Sequence, residues 1–434
     1  MKIHSHALVP AALGDKTQYI SRHANDSTVR FGLVYPGRLS PARLRQAVKE
    51  LVGRLEILHS SFAAREDRLG WIVNLDWTAD QAFCCRRAEN LQQELEQVMA
   101  EPLSPSGPVQ LHCTLLQGTE ECALAVRVGH MCADGGDARY LLYKLLELYN
   151  CLEERQDAAA VELKEGRRDF DQCLGHLSPA QRLGLYRMPE RGVVTVFSFP
   201  DGEPGRSRMI WTALPAALLG QARAKAEHKA TVNDLLLTAF YRALAAREGL
   251  SAGAPVGIQC MMDLRRYMPG GDSLGVCNLS GLLPTSLPQG VQEEFGDTLA
   301  QVCARMAAAK EDPQAGMGEL AVFSALLALL PFRAAEKLST MFMGNGSVSL
   351  TNLGRIPSHK LAAGPLEPRR VLFGGPCKHK PSLQLAAVGT EDEVCLCATL
   401  CCTDADARAV EQLLAEMRRQ LETYAAESSP RHAR

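Results

Sequence analysis

Neither sign of charge dominates this sequence: 47 Lys and Arg stand against 49 Asp and Glu, a formal net charge of -2. That balance leaves no electrostatic footprint for nucleic acid or for an anionic membrane. No H-E-x-x-H or similar ligand spacing occurs, so nothing calls for a metal. No G-x-x-x-x-G-K-[ST] and no strand-linked G-x-G-x-x-G occurs, which removes the usual phosphate-binding loops. The longest apolar run lies in ELAVFSALLALLPF (Glu319–Phe332) and ends at a proline. It is shorter than the roughly 18 residues that cross a bilayer, so it reads as a buried helix, with a peripheral lipid-facing surface as the alternative. The opening MKIHSHALVPAALGDK lacks the apolar core of a secretory signal. The 15 cysteines are an odd number and cannot all pair; several sit in apolar runs such as EVCLCATLCC (Glu393–Cys402). They read as small apolar residues in a reduced, cytoplasmic protein.

What is present is a chain of 434 residues, enough for two domains of about 200 residues each. VRFGLVY alternates as a strand does, with Val29, Phe31, Leu33 and Tyr35 on one face. The helix that follows has Ser40 as N-cap, Pro41 at its first position and a stripe of Leu44, Ala47, Val48, Leu51, Val52 and Leu55. VQLHCTLLQ and ECALAVRVGH read as paired strands, the second ending at His130, and ARYLLYKLLELYN as a helix capped by Asp137. Residues 151–206 become charged and irregular and read as a bridge. This predicts a first domain at 1–200, a second at 201–425 and a disordered tail at 426–434.

The second half opens with the strand SRMIWTAL and a helix ending near His228. A further helix has Thr231 and Asp234 in capping-box spacing. PVGIQCMM and GNGSVSLTNLG read as strands, SLQLAAVG and EVCLCATLC as a hairpin, and 406–424 as the last helix. Strands and long helices in both halves predict an α/β protein built from α+β two-layer sandwiches.

Chemistry centres on HMCADGG (His130–Gly136), at a strand-to-helix turn. A histidine there can take a proton from a hydroxyl or amine and return it to a leaving group. Asp134 can orient the imidazole, or pair with an arginine and stiffen the turn. Gly135 and Gly136 allow positive φ or close approach. A strand-terminal histidine satisfied by backbone fits the same letters. Cys132 is a rival nucleophile, but two residues from His130 in a tight turn the pair is poorly placed to share a reacting atom. Arg265, after an apolar strand in MMDLRRY, is a candidate partner for a buried aspartate. Ser349 and Thr351 on one face of their strand, and Asn352 on the other, can stabilise an oxyanion or contact substrate. The same residues also suit the polar side of an edge strand.

These segments together resemble the chloramphenicol acetyltransferase-like superfamily, whose motif is HxxxDG. It includes nonribosomal-peptide condensation domains, plant BAHD acyltransferases, wax ester and diacylglycerol synthases and stand-alone alcohol acetyltransferase-like proteins. HMCADGG carries the motif. LSPARLRQAVKELVGRLEILHSSF resembles the first helix and the segment after it, with His59 where arginine is usual. ATVNDLLLTAFYRAL, MDLRRY and VSLTNLGRIP resemble, in order, the second-half helix, the strand-end arginine segment and a late strand. The DFGWG motif of the plant branch is absent, VLFGGP (Val371–Pro376) being a distant echo. The residues given include no carrier-protein or adenylation segment.

The resemblance implies two acetyltransferase-like subdomains forming a pseudo-dimer, with an active-site tunnel between them. It implies His130 as general base, with Asp134, Gly135 and Arg265 forming a structural turn. It further implies direct attack on the thioester, with no covalent acyl-enzyme. The expected function is acyl transfer from a thioester, acyl-CoA foremost, to a hydroxyl or amine of a small acceptor. Alternatives are a free-standing condensation enzyme using carrier-protein thioesters in nonribosomal-peptide or polyketide synthesis, or a catalytically silent docking module. The thioester is a co-substrate; no permanent cofactor is expected, and a monomer suffices.

Overall fold

The computed structural model describes residues 8–65, 68–187, 192–227, 229–343 and 346–427. Within them the strands are β1 (Val9–Pro10), β2 (Thr28–Tyr35), β3 (Ser60–Arg65), β4 (Arg68–Val73), β5 (Phe83–Arg87), β6 (Leu111–Gln117) and β7 (Cys122–Gly129). They continue as β8 (Arg206–Pro215), β9 (Val256–Asp263), β10 (Ser280–Leu287), β11 (Val348–Arg355), β12 (Arg370–Gly374), β13 (Leu383–Gly389) and β14 (Glu393–Cys402). One main sheet has the order β12-β2-β7-β6-β5, the other β10-β9-β11-β13-β14-β8. A small sheet joins β1, β4 and β3. Each main sheet has its own buried apolar core, giving the two-subdomain α/β architecture.

Local chemistry accounts for most helix starts. Ser40 Oγ accepts the Arg43 N–H, opening the helix Pro41–Arg54, and Leu55 lies just past its end. Thr231 and Asp234 exchange capping-box bonds at the head of Val232–Arg247. Three expectations need correction. The long helix after His130 spans Gly135–Glu153 and is capped by Asp134, with Asp137 inside its first turn. The helix expected to end near His228 ends at Lys225, and residue 228 lies outside the described residues. The apolar run at 319–332 is half-buried, split between the helices Pro313–Leu329 and Phe332–Met343, with Leu329 exposed at the break. The last helix spans Asp404–Ala426, and 428–434 lie outside the described residues. Among the described residues no helix is long and apolar enough to cross a membrane.

Two features tie the halves together. Between β11 and β13 the chain leaves the second sheet and adds β12 antiparallel to β2, with Phe373 opposite Phe31. Residues 370–374 therefore belong to the first sheet although they lie in the C-terminal half of the sequence. The second tie is the alternation of β13 and β14. On β14, Val394, Leu396, Ala398 and Leu400 enter the C-terminal core, while Cys395 and Cys397 enter the N-terminal one. On β13, Leu383, Leu385 and Ala387 face one core, Ala386 and Val388 the other. Both faces are covered, so these strands read as continuous apolar runs instead of alternating ones. The thiols at 395 and 397 serve as small apolar groups between packed layers.

Phe373, buried and 5.3 Å from the Phe31 ring, tests the crossing strand. Phe373→Ala is expected to lower stability by about 3–5 kcal/mol, read as a lower denaturant midpoint.

Candidate active site

His130 is the first residue beyond β7, and its backbone is held from two directions. Its N–H donates to Ser27 O at 2.7 Å, and Asn278 Nδ2 donates to its carbonyl at 2.8 Å. Ser27 has φ 51°, a left-handed conformation uncommon outside glycine. The Asn25 side chain fixes that kink by accepting the Ser27 N–H at 2.9 Å. The chain thus bends sharply to offer His130 an acceptor.

The imidazole geometry defines its tautomer. Nδ1 lies 3.0 Å from Ala133 O, an atom that can only accept, so Nδ1 carries the hydrogen. Asn278 Nδ2, 3.3 Å from Nδ1, is itself a donor and therefore makes no bond there. Nε2 is left as the basic atom of a half-buried ring. Burial lowers the His130 pKa and Lys378 adds to this, against the opposing pull of Ala133 O and Asp134. The ring is therefore neutral, and able to accept a proton, at pH 7.

Asp134 is turned away from the imidazole. Its Oδ2 accepts from Arg265 Nη1 at 2.8 Å and from the Leu279 N–H at 2.7 Å. Its Oδ1 accepts the Asp137 N–H at 3.0 Å as the helix cap. Burial alone would raise this carboxyl, but Arg265 and the two N–H groups outweigh it and hold it below the usual carboxylate range. Arg265 Nη2 also bonds Asp137 at 2.8 Å, Nη1 bonds Asp263 at 2.9 Å, and Nε donates to Ser273 Oγ at 3.0 Å. Asp137 goes the other way: burial and the Asp134 charge raise its pKa despite Arg265 and Lys164.

The glycines serve close approach, since neither has a positive φ. A Cβ on Gly135 would lie 2.8 Å from Leu353 Cδ2 at the end of β11. One on Gly136 would lie within 3.2 Å of Asp263, Arg265 and Asp134 oxygens or nitrogens. Cys132 is buried, donates to Gly129 O at 3.0 Å and has its thiol pushed up to about 12, which excludes it as a nucleophile.

The structure therefore brings together His130, Asp134, Gly135 and Arg265. Among the described residues, Ser349, Thr351 and Asn352 make no hydrogen bond with His130. Ser349 is buried inside the sheet, Thr351 is half-buried, and Asn352 bonds the Asn233 side chain at 3.4 Å and the Gly354 N–H at 2.8 Å. β11 lies between β9 and β13, so it is an interior strand and not an edge. His59, standing where the resemblance places arginine, is buried with Nδ1 3.1 Å from Asn74 O.

Four residues take roles that the sequence reading did not give them. Asn278 anchors His130, and Asp137 completes the Arg265 cluster. Arg168, in the bridging segment, donates to Asp15 at 2.8 Å, Val276 O at 2.7 Å and Cys132 O at 3.2 Å. Lys378 stands near enough for its charge to act on His130. Only Asp137 left a sequence signal: an acidic residue on the inward face of an apolar helix.

No family model matches the chain, and no curated protein matches it. Solved structures do. The condensation domain from Monacolin K polyketide synthase is 15% identical, with 98% of each chain covered and a TM-score of 0.68. The epimerization domain from the third module of tyrocidine synthetase B is 14% identical, with 98% of each covered and a TM-score of 0.65. Polyketide synthase associated protein 5 from Mycobacterium tuberculosis is 14% identical, covering 97% of this chain and 99% of that one, with a TM-score of 0.69. At this identity the likeness establishes the fold. The chain has the architecture of condensation domains, two chloramphenicol acetyltransferase-like subdomains side by side.

Removing Arg265 would leave the buried Asp134 carboxylate without a counter-charge and Asp137 with Lys164 alone. Arg265→Ala is expected to destabilise the fold by about 3–5 kcal/mol, and Gly136→Ala to lower the melting temperature by crowding the same cluster. Calorimetry of both variants checks this.

Proposed function

We propose that this protein transfers an acyl group from a thioester, delivered on a carrier protein, to a hydroxyl or amine. The observation that carries the reading is His130: Nδ1–H tied to Ala133 O, Nε2 without a hydrogen bond among the described residues, the ring held neutral at a seam built from both halves. In the reaction the acceptor O–H or N–H gives its proton to Nε2 as the heteroatom attacks the thioester carbonyl carbon. The C–S bond then breaks, and the thiolate takes the proton from the imidazolium. A thiol pKa of about 8.5 makes sulfur an easy leaving group at neutral pH. Asp134 and Arg265 hold the turn that aims the ring and take no part in the proton transfer.

Two likenesses favour carrier delivery: one neighbour is a condensation domain of a polyketide synthase, another a polyketide synthase associated protein. An acyl-CoA donor is the second reading, because both thioesters present the same reacting group. An epimerization domain shares this fold, so fold alone does not choose the reaction.

Thiol release measured with acyl-carrier and acyl-CoA donors, against pooled alcohols and amines, separates the two donors. His130→Ala is expected to lower turnover by about 10²–10⁴-fold with little change in melting temperature; normal acyl transfer by that variant would sink the proposal. Because a base works only when unprotonated and the His130 pKa is lowered, activity should hold through pH 6.5 and fall only at more acid pH. An acid limb centred above 6.5 would contradict the assignment.

A further inference from the structure

The helix Phe332–Met343 presents an apolar stripe on its outer side as well as on its inner one. Phe332 and Ala335 are buried and anchor it, the Phe332 ring lying 5.9 Å from that of Tyr19 in the helix Leu13–Ile20. Ala334, Leu338 and Met341 follow one another at spacings of four and three, and all three are exposed, Met341 at 74%. At 3.6 residues per turn they fall within about 60° of arc, turned from the buried pair. Leu329, 81% exposed, stands at the elbow just before this helix. The fold already holds the helix by its inner face, so the outer stripe is left over for an interaction.

Cations run alongside that stripe. Arg333 and Lys337 form the next row of the helix, four residues apart, and both are exposed. They border a cavity of about 500 Å³ whose lining also takes in Arg22 and His23, from the turn after the helix Leu13–Ile20. Its lining residues carry three cations, Arg22, Arg333 and Lys337, against the one carboxylate of Glu336, which pairs with Arg22. Arg22 is held in place, donating to Tyr19 O at 2.7 Å with its guanidinium 3.9 Å from the Tyr19 ring centre. Met341 belongs to both features: it ends the apolar stripe and lines the cavity. The near-neutral charge of the whole chain conceals this local concentration.

We propose that this helix is a peripheral contact for an anionic lipid bilayer. Phosphate headgroups enter the cation-lined cavity, while Leu338 and Met341 enter the boundary between headgroups and acyl chains. An apolar stripe flanked by lysine and arginine is the pattern of a helix lying in the plane of that boundary. Each cation near a negatively charged surface adds attraction, which salt screens. Among the described residues no helix is long and apolar enough to cross the bilayer, so the contact is one-sided and reversible. A protein partner fits less well. Interface cores are depleted in lysine, and stable interfaces bury about 1,200 Å² or more, whereas the apolar stripe here is three side chains long.

The test is co-sedimentation of the full chain with vesicles of pure phosphatidylcholine and with vesicles of an equimolar mixture of phosphatidylcholine and phosphatidylglycerol. Wild type is expected to sediment with the mixed vesicles, far less with the neutral ones, and to be released by added salt. Met341→Gln should weaken partitioning by about tenfold, and Lys337→Gln by about fivefold. Lys337→Arg, which keeps the charge, should bind as wild type. Leu75→Gln, which removes a comparably exposed side chain from the loop after β4, should also leave binding unchanged. Both Met341 and Lys337 are exposed, so the melting temperatures of their variants should match wild type.

Equal sedimentation with both kinds of vesicle, or with neither, would overturn the proposal. So would full binding by Met341→Gln or Lys337→Gln, or a loss in Leu75→Gln as large as theirs. Sedimentation velocity without lipid supplies a second check: a dimer that Met341→Gln dissociates would assign this face to a second copy of the chain and retire the lipid contact. None of these measurements uses turnover, so their failure leaves the acyl-transfer reading untouched, and failure of that reading leaves the lipid contact standing.

Discussion

A single guanidinium holds the site in place. Arg265 comes from the C-terminal half, and two of its carboxylate partners, Asp134 and Asp137, belong to the helix start that follows His130. The cluster is nearly free of solvent, so each charge is compensated by geometry and not by water. Its demands spread outward. Gly136 gives Arg265 and its partners room, since a Cβ there would lie 3.0–3.2 Å from their atoms. The Leu279 and Cys277 N–H groups must point inward to complete the two aspartates. Arg168 then locks the same turn from the bridging segment, through Cys132 O and Val276 O.

Aspartate in this arrangement is a brace and not a relay. The hydrogen bond that sets the imidazole tautomer is donated by Nδ1–H to a backbone carbonyl, three residues along the same turn. The side chain of Asp134 is used up by Arg265, the helix N-terminus and Leu279. Orientation by main chain has a physical advantage at a seam: it depends only on the turn, which the buried cluster already fixes. The strained Ser27 makes the opposite contribution, giving up a relaxed backbone so that its carbonyl meets the His130 N–H.

Much of this was legible in the letters. Ser40, Pro41, Thr231 and Asp234 act locally, within one turn of helix, so spacing alone places them. The pairing of Asp134 with Arg265 was nameable because a buried carboxylate after a strand needs a cation, and MDLRRY supplies one at a strand end. Assigning the cap to Asp137 failed because both aspartates suit a helix start; the choice lies with the tertiary ion pair. β11 read as readily as an edge strand, because its hydroxyls resemble a solvent face. Lys378 and Asn278 were invisible, since each gains meaning only from a segment more than a hundred residues away. β12 was read only as an echo of another motif, as sequence order gives no sign that a strand changes sheets.

The two-faced strands carry a mechanical consequence. β13 and β14 each place alternate side chains in both cores, so neither strand can slide or rotate without opening gaps in two packed interiors at once. The two strands are a wall shared by both subdomains, so a change of side-chain volume on either face is felt in the two cores together.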